Sequence, residues 1–75
     1  MGQAMRRYAV IIEQGPTSWG AYVPDLPVCF ATGATREEVR ERIEEGIRLY
    51  LDSLRSDGMD APAARTFVEV VEVAA

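Results

Sequence analysis

The chain has 75 residues, 48% of them hydrophobic and 27% charged, with eight basic and twelve acidic side chains, no histidine and one cysteine. That length makes one domain, which buries only ~60% of the surface its unfolded form exposes, and the composition excludes a disordered chain. A net charge of −4 opposes non-specific binding to nucleic acid and favours a basic partner.

Met5 reads as the natural start, with residues 1–4 a vector remnant or a disordered lead. Arg6 to Glu13 predicts a first strand, with Tyr8, Val10 and Ile12 on one face and Ala9 and Ile11 on the other. Gln14-Gly-Pro-Thr-Ser18 is turn chemistry, and a second strand runs from about Trp19 to Val23. Pro24 and Pro27 then fix φ and push the residues before them out of the helical region. The result is a rigid, extended corner around Asp25 and Leu26, followed by a short third strand from Val28 to Thr32. The three strands form an antiparallel meander.

A helix of about residues 35 to 56 is marked at its start by Thr35 as N-cap and Glu38 at N3, the capping-box pattern. Glu37 and Glu38 complement the positive end of its dipole. Val39, Ile43, Ile47, Tyr50 and Leu54 recur at helical spacing and form one apolar stripe. Gly46 interrupts that stripe at a cost of ~1 kcal/mol relative to alanine, which suggests a close approach of helix to sheet. Gly58 fits the C′ position and Pro62 bars continuation. Phe67 to Val73 predicts a final strand, broken by Glu69 and Glu72. The order β-β-β-α-β is an α+β fold, a four-stranded sheet with one helix on one face. Its order resembles a truncated ribonuclease H-like fold. One helix leaves the other sheet face to solvent or to a partner. A homodimer or larger assembly is expected from the small core and that open face.

Without histidine, zinc and cysteine-protease sites lack their ligands or base. Cys29, between Val28 and Phe30, reads as a buried structural thiol, and a lone cysteine suits a reducing cytoplasm. No apolar run approaches the ~20 residues of a membrane span. Metal-dependent nucleases of the ribonuclease H type cluster several acids around two divalent ions. Here the strand region offers only Glu13 and Asp25, and the helix acids fall mostly on the solvent face. The chain is not expected to be an enzyme, nor to need a cofactor or a metal.

Tyr8-Ala-Val-Ile-Ile-Glu13, Ala21-Tyr-Val-Pro-Asp-Leu-Pro27, Gly33-x-Thr35-x-Glu-Glu38, Leu51 and Gly58 to Pro62 occur in an order and spacing that resembles the HicB antitoxin family. Val28 stands where that family usually has glycine, so the turn there must use an ordinary backbone conformation or shift. Many such antitoxins add a C-terminal DNA-binding segment, and this chain resembles the toxin-neutralising domain alone, with no direct DNA binding expected. The resemblance implies a small basic RNA-cleaving toxin of the HicA type as partner, masked by an acidic domain. Trp19, Tyr22, Asp25, Leu26 and Phe30 are the candidate contact residues, because aromatic side chains dominate interface hot spots and a charge beside them can pair with a basic surface. Each also has a structural reading: Tyr22 and Phe30 suit a core, and Leu26 can plug the corner, whereas Trp19 is the better candidate because it begins a strand beside a polar loop, where a core tryptophan is less expected. Two alternatives remain, a stand-alone HicB-like interaction module without a toxin and an enzyme with a degenerate nuclease site.

Overall fold

The structure, a computed structural model, describes residues 5–75; the expected lead at residues 1–4 lies outside the described residues. Among these, three strands and one helix form: β1 (Ile11–Gln14), β2 (Trp19–Val23), β3 (Leu26–Gly33) and α1 (Arg36–Ser56). The sheet is antiparallel with order β1-β2-β3. β1 begins five residues later than the alternation suggests, since the stretch before Ile11 has no strand assignment.

The corner between β2 and β3 explains the shape of the sheet. Val23 pairs with Leu26, whereas Tyr22 pairs with Phe30, so Pro27, Val28 and Cys29 are inserted on β3. Among the described residues no residue other than glycine has positive φ. The Val23-Pro-Asp-Leu26 turn therefore cannot be of the primed types that match strand twist. An unprimed turn with proline at its second position splays the strands, and the bulge absorbs the mismatch. Val28 accordingly keeps an ordinary backbone, as its β-branched side chain requires. The inserted residues also let Leu26 turn inward, where it is 0% exposed.

α1 is closed at both ends as its sequence demands. The Thr35 hydroxyl accepts a hydrogen bond from the Glu38 amide at 3.1 Å. At the other end the Gly58 amide donates to the Arg55 carbonyl and the Met59 amide to the Leu54 carbonyl, at 3.0 and 2.8 Å, with Gly58 at φ 71°. That pair of bonds is a Schellman motif. The helix lays Val39 and Ile43 on Ala21, Val23, Leu26 and Cys29, with Ile47 and Tyr50 packed at the margin. Leu54 is buried further along the same stripe.

Two expectations are corrected. A Cβ added at Gly46 would meet nothing within 4 Å, so this glycine does not mark a close approach of helix to sheet. The close approach is at Gly33, where an added Cβ would stand 3.0 Å from the Val39 nitrogen and 3.3 Å from its Cα. The second concerns the final strand. Residues 57–75 take up no strand pairing, and Phe67, Val68, Val70, Val71 and Val73 are exposed. The segment is nevertheless tied down at its base. The Tyr8 hydroxyl donates to the Pro62 carbonyl at 2.6 Å, and Asp25 holds Arg65 and Thr66. Beyond Thr66 the chain projects as an arm, and the molecule measures 48 × 28 × 22 Å.

These two glycines make opposite predictions. Gly46→Ala gains helix propensity at an open position and should raise stability by up to about 1 kcal/mol. Gly33→Ala must push apart backbone atoms of β3 and α1 and should cost about 1–3 kcal/mol. Urea melts of the two variants against the parent check both signs.

Candidate partner-binding face

Successive residues of a strand point to opposite faces of the sheet. Ala21 and Val23 face α1 and are buried, while Tyr22 between them points away and is 45% exposed. Strand pairing places Ile11 on one side of Tyr22 and Phe30 on the other. Directly opposed residues share a face with Cβ atoms ~4.5–5.5 Å apart. Ile11, Tyr22 and Phe30 therefore make one continuous apolar row across all three strands. Phe30 is 76% exposed, and Val28 on the bulge is 63% exposed. The next row, Glu13, Gly20 and Thr32, adds a carboxylate and little bulk. The face is a ledge of exposed aromatic and apolar side chains with one carboxylate, Glu13, in the neighbouring row.

The five residues that sequence reasoning grouped together separate in space. Tyr22 and Phe30 stand side by side on the ledge. Trp19 has the parity of Ala21 and Val23 and packs, half-buried, against the core cluster. A strand-opening tryptophan beside a polar loop read as a surface residue, but the β2 alternation turns it toward α1. Leu26 plugs the corner and offers no side-chain surface to a partner in this conformation. Asp25 is occupied within the chain. One carboxylate oxygen accepts the Arg65 and Thr66 amides at 2.7 and 2.9 Å, and the other accepts the Thr66 hydroxyl at 2.9 Å. The Arg65 amide, then the Thr66 amide, hold this carboxyl below its ordinary range. Ile11 and Val28 escaped the earlier grouping. Alternation put Ile11 on a face without saying which face α1 would cover, and Val28 is displayed by a bulge that no sequence period announces.

Cys29 is buried, its thiol 4.0 Å from the Gly46 carbonyl, and burial pushes its pKa up. A thiol so placed is a poor nucleophile. Among the described residues no group of three or more His, Cys, Asp or Glu side chains could hold a metal ion. No described helix is long and apolar enough to cross a membrane.

A small acidic domain with one helix, one open sheet face and a Pro-Asp-Leu-Pro corner can now be set beside known proteins. The family model for a HicB-like antitoxin of bacterial toxin-antitoxin systems matches residues 8–74. The chain belongs to this family. Two relatives are both named UPF0150 proteins. One, UPF0150 protein Ta0767 from Thermoplasma acidophilum, is 37% identical over 57 residues, 75% of this chain and 83% of that protein. The other, from Helicobacter pylori, is 38% identical over 47 residues, 63% of this chain and 65% of that protein. No solved structure gives a significant match. Membership of a HicB-like antitoxin family makes the chain a binding protein rather than an enzyme.

The Asp25 clasp has a definite pH signature. Its folded-state pKa lies below the ordinary value of 3.8, so its contribution is complete above that value and fades as pH falls through the folded pKa. Hydrogen exchange should show the Arg65 and Thr66 amides protected at neutral pH and released in acid, below the ordinary carboxylate range. Asp25→Ala should release both amides at neutral pH. Unchanged protection in that variant would mean that something other than the carboxylate holds the segment.

Proposed function

We propose that this protein is the antitoxin of a two-gene pair, and that its open sheet face binds and masks a small basic RNA-cleaving toxin of the HicA type. The observation that carries the reading is the Ile11–Tyr22–Phe30 row, an apolar strip spanning the uncovered face of an acidic domain. Large exposed aromatic side chains at the centre of a flat patch are what interface hot spots are made of. The net charge of −4 favours encounter with a basic partner and speeds association without setting the final affinity. Inhibition is then steric: the ledge covers the toxin's RNA-binding surface, and the antitoxin performs no chemistry itself.

The reading includes four further elements. The protein works in the cytoplasm, where its single thiol stays reduced. It self-associates as a homodimer or larger, because a core this small gains from covering exposed apolar surface. Residues 67–73 supply the fourth strand of a truncated ribonuclease H-like sheet once a sheet edge is provided for them. The domain alone does not bind operator DNA, since its charge opposes the phosphate backbone.

The test is the purified pair from adjacent genes. Phe30→Ala and Tyr22→Ala should each weaken toxin binding by ~2 kcal/mol or more, measured by calorimetry. Phe30→Ala should leave the melting temperature almost unchanged, because its ring is exposed. Failure of the pair to associate would leave the stand-alone HicB-like module as the better reading. Association unaffected by both substitutions would move the toxin to another face.

A further inference from the structure

The arm and the sheet edge carry matching chemistry. Beside β1 lies a groove of about 540 Å³ between the stretch leading into β1 and the middle of α1. It exists because α1 lies mainly over β3 and β2 and draws away from β1. Val10, Ile12 and Ile47 form its apolar floor, and Arg6, Arg7 and Arg40 its rim, against one acid, Glu44. The arm offers the complement. Phe67, Val71 and Val73 share one face of an extended strand with Glu69, and Val68 and Val70 share the other with Glu72. Such a strand is apolar on both sides with one carboxylate on each, suited to a site that is greasy below and basic at the rim. Val70 is 90% exposed in the single chain.

The two edges of the sheet are not equivalent. On β3 the Arg42 guanidinium donates to the Thr32 carbonyl at 2.8 Å while pairing with Glu38. Pro27 also lacks an amide there, and both features blunt an edge against strand addition. β1 is the other edge, and it borders the groove. In the single chain the arm does not take that edge: its base is held by Tyr8 and Asp25, and beyond Thr66 it pairs with no strand and leaves Phe67, Val68, Val70, Val71 and Val73 exposed.

We propose that the groove beside β1 is filled by the arm of a second copy of this chain, residues 67–73 adding to β1 as a fourth strand in a reciprocal exchange. This rests on the self-association included above and assigns its surface and its occupant. Stable complexes bury ~1,200–2,000 Å², and a reciprocal exchange covers two arms and two grooves at once. The added strands also lengthen both open faces beyond Ile11.

The full-length chain tests this in two ways. Sedimentation should give a dimer for the parent, and Val70→Asp with Val71→Asp should weaken it by at least about 100-fold. Helical circular dichroism should stay unchanged, because neither valine is in the core. A photo-crosslinking p-benzoylphenylalanine in place of Phe67, in mixed 14N and 15N protein, should yield mixed-isotope crosslinks to residues 6–12 or 40–47. Crosslinks within one isotope only, or from arm to arm, overturn the exchange. A dimer that survives the double aspartate also overturns it while leaving self-association standing, and a monomeric parent chain overturns both.

Discussion

The contact of Val39 and Ile43 with Ala21, Val23, Leu26 and Cys29 is the joint on which the whole molecule turns. There helix and sheet exclude water from both sides, and the cluster is small: six buried residues among those described. One 21-residue helix can cover one face of two strands and part of a third. Everything beyond its reach stays uncovered: the far face of the sheet, the groove at β1, and the arm. The exposed surfaces are consequences of that geometry, and the sequence has filled them with valine, phenylalanine and tyrosine instead of the polar residues that an isolated monomer would favour.

The corner at Asp25 shows how a short motif can serve several ends together. Pro24 sets the turn, the inserted residues after Leu26 drop a leucine into the core, and the same insertion displays Val28. Asp25, at the tip, gathers two amides and a hydroxyl from a segment 40 residues away. A carboxylate that accepts several hydrogen bonds in an extended loop acts as a local cap for chain that has no secondary structure of its own. The clasp therefore decides where the arm begins and which way it leaves.

The legible parts of the fold were those governed by local physics. The capping box at Thr35, the stripe from Val39 to Leu54 and the Gly58 stop locate α1 to within a residue, because each depends on neighbours three or four positions away. The meander was legible for the same reason. What could not be read was anything decided by distant contacts. Gly33 and Gly46 are both glycines beside apolar residues, and only the packed structure tells that Gly33 meets backbone and Gly46 meets nothing. Trp19 and Tyr22 are both aromatic residues of one strand, yet their parity relative to α1 sends one inward and one outward. Phe67 to Val73 has the composition of a strand, but a strand needs an edge, and its composition cannot name the chain that provides it.

An antitoxin of this build gains from incompleteness. A core of so few residues supplies little stability to a single chain, and any partner that binds only the folded form adds to it by mass action. The apolar ledge and the apolar arm expose surface that costs solubility while unpartnered and returns free energy when covered. On the proposed function, folding, self-association and capture of a partner would be linked equilibria: a domain whose surfaces are filled would be held together, and one deprived of partners would open more often. Local opening exposes chain to proteases in proportion to its population, so on the proposed function the surfaces that take a partner would also set how long the chain lasts without one.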